Sequence, residues 1–165
     1  MMITLTGFMG SGKTTVGKVL ADFLGCPFFD LDDLIVKKAG KSIPDIFVQD
    51  GEAAFRELEA QILRQQVKKY AESTVVLALG GGAILAPASA SLLHDKTLCI
   101  YLRATLDTLL QRLAGETAGR PLADAAFSDR LAAREPIYEE TAHVIIDTDG
   151  LVPDEVAEEI IISAL

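Results

Sequence analysis

Gly7-Phe8-Met9-Gly10-Ser11-Gly12-Lys13-Thr14 is the stretch on which the fold turns. It fits the pattern G-x-x-x-x-G-K-[ST], and its flanks are those the pattern requires. An apolar run, Met1 to Thr6, precedes it; Val16, Val19, Leu20 and Phe23 follow at helical spacing, up to a C-cap at Gly25. Strand, loop and helix in that order let the backbone curl so that successive N–H groups face one anion, and the helix N-terminus adds about half a positive charge. The chemistry expected here is binding of a nucleoside triphosphate. Lys13 would neutralise the β and γ oxygens and Thr14 would offer its hydroxyl to Mg²⁺, with Gly10, Ser11, Gly12 and Thr15 completing the expected ATP contacts.

Working outward, Cys26 to Asp30 reads as a second strand, followed by a helix that closes at Gly40. Ser42 can cap a short helix through Ile46 and Phe47, and Glu52 to about Glu72 forms a long amphipathic helix with Phe55, Leu58, Ile62 and Leu63 on its inward side. Thr74 to Leu79 and Thr97 to Leu102 are continuous apolar runs suited to strands buried on both faces. Leu106, Leu109, Leu110 and Leu113 mark a further helix before the polar segment Gly115 to Pro121, which reads as a mobile loop. A helical stretch through Ala132, a last strand at Val144-Ile145-Ile146 and a helix opened by Pro153 complete the chain. Five buried strands alternating with helices imply right-handed crossovers and an α/β fold: a three-layer α/β/α sandwich on a five-stranded parallel sheet, with a mobile lid at about 115–124. One domain is expected over residues 1–165, without repeats or linkers.

Composition narrows the partners. With 15 Lys and Arg against 24 Asp and Glu the formal charge is −9, the opposite of a nucleic-acid footprint. Half the residues are hydrophobic, 50%, so a sizeable core can form, yet no apolar run reaches the roughly 20 residues that span a bilayer. Structure begins almost at once, at Ile3-Thr4-Leu5-Thr6, which leaves no room for a secretory signal and makes the cytoplasm the expectation; a monomer is expected as a separate matter. Cys26 and Cys99 lie far apart in apolar contexts and read as inert core residues; His94 and His143 are too few for a His-rich metal site.

The acceptor of the phosphoryl group must be read elsewhere, since a phosphate loop serves many chemistries. Asp30-Leu31-Asp32, Gly51-Glu52 with Phe55-Arg56 and Glu59, Gly80-Gly81-Gly82, Arg120-Pro121-Leu122 and Arg134-Glu135-Pro136-Ile137-Tyr138 follow the phosphate loop in order. In that order and rough spacing the chain resembles the shikimate kinase family over nearly its whole length. Asp30 and Asp32 end the second strand, at the sheet edge where ligands of parallel α/β folds bind. The resemblance implies that Asp32 binds the shikimate hydroxyls and serves as base, while Asp30 supports Mg²⁺ through its water shell. Arg56, an i,i+3 neighbour of Glu59, would clamp the substrate carboxylate together with Arg134. Gly80, Gly81 and Gly82 would let the backbone touch the same ligand, Gly81 above all. Arg120 would act as a lid arginine on the transferring phosphoryl group, and Arg112 would stack on adenine or lie on the surface.

The implied activity is ATP-dependent phosphorylation of the 3-hydroxyl of shikimate. The alternatives are another small-molecule kinase of this architecture, for gluconate or a nucleoside monophosphate, and a nucleotide-binding module without turnover. The sequence departs from the family pattern in three places: Ala123 stands where a leucine is expected, the stretch from Ala123 to Arg134 is short, and Asp147 to Leu151 lacks an arginine near adenine.

Overall fold

The strand β1 (Met2–Thr6) lies at the centre of a parallel sheet, flanked by β3 (Val75–Ala78) and β4 (Leu98–Arg103). β2 (Phe28–Asp30) and β5 (Val144–Asp147) form the edges, giving the order β2-β3-β1-β4-β5. This computed structural model describes residues 1–116 and 125–165. From residue 117 onward the expected lid, with Arg120, therefore lies outside the described residues.

Strand periodicity divides the core into two layers. Ile3 and Leu5 of β1, with Val76, Ile100, Leu102 and Ile146, face α1 (Lys13–Leu24) and α8 (Pro153–Ala164), whose Val16, Leu20, Val156 and Ile160 fill that side. The alternate residues Met2, Val75, Leu77, Cys99 and Tyr101 face the other helices. These are α2 (Leu31–Ala39), α4 (Glu52–Lys69), α5 (Pro87–Lys96), α6 (Leu106–Glu116) and α7 (Ala125–Thr141), with α3 (Ile43–Asp50) packed on α4. The three-layer sandwich read from the sequence is thus the observed architecture.

Local signals end the helices where they were read. Gly25 and Gly40 adopt the left-handed conformation at the C-caps of α1 and α2, and Ser42 accepts from the Asp45 N–H at 3.2 Å to start α3. Four expectations need correction. Only the three central strands are buried throughout or nearly so: β2 is half-buried and β5 exposes Ile145 and Asp147, because an edge strand has a neighbour on one side alone. Cys26 is only partly covered, whereas Cys99 is buried. The helix α5 has no counterpart in the sequence reading, since of Pro87–Lys96 only Ser89 and Leu93 are buried and no apolar stripe results. Finally, α7 runs past Ala132 to Thr141 across Pro136, a residue that ordinarily ends a helix; Leu131 and Tyr138, buried on either side of it, hold the turn in place.

Candidate active site

The carboxyl ends of β1, β2 and β3 meet in one place, where the segments leaving them meet charged side chains from α2, α4 and α7. After β1 the backbone turns through Gly7, Gly10 and Gly12, all with positive φ. At Gly7 (φ +149°) a Cβ would stand 2.7 Å from both the Leu102 carbonyl and the Ser11 hydroxyl, so no side chain fits beneath the loop. The Ser11 hydroxyl itself is buried and has no hydrogen-bond partner. Helix α1 makes its first closing bond from the Val16 N–H to the Gly12 carbonyl, 2.8 Å, which leaves the N–H groups of Lys13, Thr14 and Thr15 as the orphan donors of a helix start. No acidic side chain occupies that first turn. Lys13 Nζ donates to the carbonyls of Gly7 (2.8 Å) and Phe8 (3.0 Å), drawn over the loop. Burial lowers the Lys13 pKa to about 8, although Asp32 and Asp30 pull the other way.

Asp30 and Asp32 do not both end a strand. Asp30 is the last residue of β2 and the N-cap of α2, its Oδ1 accepting from the Asp32 N–H at 2.9 Å, so the chain enters the helix at Leu31 and Asp32 falls in the first turn. The other oxygen, Asp30 Oδ2, accepts from the Thr14 hydroxyl at 2.7 Å, which brings together the two groups expected around Mg²⁺. A hydroxyl and a carboxylate are hard oxygen donors of the kind Mg²⁺ takes, and one or two such groups suffice when phosphate oxygens and water supply the rest. Asp32 is held above the usual carboxylate range by burial and by neighbouring Asp30, with Lys13 acting in the opposite sense.

The loop after β3 gathers the remaining groups, one glycine at a time. A Cβ on Gly80 would lie 3.0 Å from Asp32 Oδ1 and 3.2 Å from Glu59 Oε2; one on Gly81 would lie 3.5 Å from Arg134 Nη1; one on Gly82 would lie 2.5 Å from Arg56 Nη2. Three consecutive glycines thus stand against four charged side chains, two carboxylates and two guanidiniums, from α2, α4 and α7. Arg56 is fixed as expected, donating from Nη1 to Glu59 Oε1 at 2.9 Å. Burial raises the pKa of Glu59, 3% exposed, and the Arg56 hydrogen bond offsets that. Arg134 lies over the Phe8 ring, 5.5 Å from its centroid, so the second guanidinium reaches the phosphate loop from the far side.

A cavity of about 320 Å³ adjoins the loop on the side of α1 and α8, lined among others by Lys13, Thr14, Thr15, Arg112, Leu151 and Pro153. Arg112 is no surface arginine: its Nη1 reaches the Gly10 carbonyl (3.3 Å) and the Thr148 hydroxyl (3.1 Å), and its Nη2 the Thr148 carbonyl (3.0 Å). Where the sequence lacks an arginine after β5, Leu151 and Pro153 line the cavity instead. Two contributors escaped sequence reading: Thr148, which buries its side chain beside Arg112, and Tyr138, whose hydroxyl donates to the Gly81 carbonyl. The Arg-x-x-x-Tyr spacing of α7, one helical turn, was the available signal for the latter.

Three comparisons bear on this arrangement. The family model described as shikimate kinase matches residues 9–164. The shikimate kinase of Enterococcus faecalis is 44% identical over 164 residues, covering 96% of this chain and 95% of that protein. Among solved structures, the shikimate kinase of Acinetobacter baumannii in complex with shikimate is similar at a TM-score of 0.86 and 35% identity, over 97% of this chain and 90% of that one. The shikimate kinase of Aquifex aeolicus matches at a TM-score of 0.87 and 32% identity, over 99% and 95% respectively.

Proposed function

The chain belongs to the shikimate kinase family, and accordingly we infer that it transfers the γ-phosphoryl group of ATP to the 3-hydroxyl of shikimate, giving 3-phosphoshikimate and ADP on the way to chorismate and the aromatic amino acids. The observation that carries the residue assignments is the glycine triplet, which sets a carboxylate and two guanidinium groups around one short length of backbone. A small acid with several hydroxyls needs that combination.

In this reading Arg56 and Arg134 grip the substrate carboxylate, and Gly80, Gly81 and Gly82 admit the ring close to the main chain. Asp32 accepts a hydrogen bond from the reacting hydroxyl and takes its proton as the oxygen attacks the γ phosphorus; the bond to the β–γ bridging oxygen breaks and its electron pair leaves with ADP. The raised pKa of Asp32 suits a proton acceptor better than an ordinary surface carboxylate would. The N–H groups around Gly10 to Thr15 and the Lys13 ammonium receive the phosphates, and the flat face of Arg112, its edge already spent on carbonyls, supports the adenine. Thr14 and Asp30 would hold Mg²⁺, which when bound neutralises charge on the phosphate oxygens. Arg120 is assigned to the transferring phosphoryl group on the family resemblance alone. A single domain over residues 1–165, working as a cytoplasmic monomer, belongs to the same proposal; no helix among the described residues is long and apolar enough to cross a membrane.

The test is ADP release with shikimate, gluconate, quinate and AMP as acceptors. Stimulation by shikimate above the other three is expected. Stimulation by gluconate or AMP alone would favour the other small-molecule kinases, and no stimulation by any acceptor would favour a module without turnover.

A further inference from the structure

Tyr138 is fully buried, yet its ring carries a polar end that must be satisfied. The ring packs against Tyr101, 5.0 Å between centroids, and the hydroxyl donates to the Gly81 carbonyl at 2.5 Å. The Arg134 guanidinium borders the same glycine: a Cβ on Gly81 would stand 3.5 Å from Arg134 Nη1 and 3.7 Å from the Tyr138 hydroxyl. Arg134 and Tyr138 lie one turn apart on α7, so their side chains leave the helix on one face. We propose that Tyr138 is a positioning residue for the acid-binding half of the site, its hydroxyl setting the Gly81 peptide next to the Arg134 guanidinium.

Two consequences follow from its geometry. No peptide bond in the described chain is cis, so the Gly81 carbonyl and the Gly82 N–H point in opposite directions. Holding the carbonyl on Tyr138 therefore turns the Gly82 N–H away from α7, and with it the orientation of the glycine whose Cα lies beneath Arg56. At the same time the hydroxyl stands beside the Arg134 guanidinium, both of them against Gly81. A phenyl ring at this position would leave the Gly81 carbonyl without its partner. Burial pushes the Tyr138 pKa up to about 12, so the hydroxyl keeps its proton over the whole working range.

This inference rests on the shikimate reading, and the experiment separates the two: the wild-type protein must first turn over shikimate, and only then do variants bear on Tyr138. Steady-state kinetics are measured on Tyr138→Phe and on a protein carrying 4-aminophenylalanine at position 138, which restores a donor of nearly the same shape. In Tyr138→Phe the KM for shikimate is expected to rise roughly tenfold, with the KM for ATP unchanged and kcat within about threefold. The amine should recover most of the loss. An unchanged shikimate KM, an equal rise for both substrates, or a defect in folding or binding that the amine fails to reverse would each overturn the proposal.

Discussion

Lys13 and Asp32 share a difficulty, since burial disfavours the charged form of each while the charge of the other favours it. For Lys13 the sign can be followed through binding. Without nucleotide its pKa is about 8; phosphate oxygens beside the ammonium must raise it, so binding takes up protons at a pH near or above that value and takes up few well below it. Calorimetry of ADP binding at about pH 8.5, in buffers of different ionisation enthalpy, should show proton uptake that vanishes near pH 6.5. A binding enthalpy independent of the buffer at the higher pH would contradict the burial of this lysine. Asp32 is protonated at higher pH than an ordinary carboxylate, so turnover should fall on the acid side earlier than a surface carboxylate would allow. Asp32→Asn should retain ATP binding and lose roughly 10²–10⁴ in kcat. If kcat changed by less than about tenfold, the proton would have another acceptor. Lys13 was legible from its place in the loop motif; the position of Asp32 was misread by a strand end, because Asp30 captures the Asp32 N–H and starts the helix early.

At the scale of elements, the loop after β3 has glycines in place of side chains where Asp32, Arg56 and Arg134 converge, the segment to which the proposal gives contact with the substrate. Gly82 has φ −103° and ψ 4°, a conformation open to any residue, so alanine there would meet no backbone strain. The cost is steric: the added Cβ would sit 2.5–2.7 Å from the Arg56 guanidinium, which would have to swing away from Glu59. Gly82→Ala should therefore raise the shikimate KM by roughly tenfold or more and leave ATP binding intact, with a melting temperature within a few degrees of wild type. A variant with unaltered shikimate KM would show that Arg56 does not need its present place. Sequence reading anticipated the triplet and the Arg56–Glu59 pair, since both are local patterns, glycine after a buried strand and charges three apart on a helix. It stopped α7 at Ala132 because Pro136 breaks the local rule; Arg134 and Tyr138 are held on one helix only because the flanking core keeps it continuous.

The whole molecule is acidic and its substrates are anions, so long-range attraction cannot supply affinity. In the proposed reading the local cations Lys13, Arg56 and Arg134 act at contact distance, inside the roughly 8 Å over which physiological salt screens the rest. Changing KCl from about 50 to 300 mM should therefore shift the KM of either substrate by less than about threefold. A steep loss of affinity with salt would mean that distant charges steer binding after all.

The phosphate loop and the two helices that close on Gly25 and Gly40 were determined by the sequence alone, because each depends on dihedral preferences and side-chain spacing within about one element, and the alternation of strands with helices along the chain made the sheet parallel. The meeting of Asp32, Arg56, Arg134 and Tyr138 at Gly80–Gly82 was decided by tertiary structure. The order β2-β3-β1 sets the loop after β3 between the phosphate loop and the start of α2, and α4 and α7 reach it only because they pack on the same face of the sheet. Neighbours in a parallel sheet are chosen by how long crossovers bury the helices, a property spread over the chain that no short stretch contains.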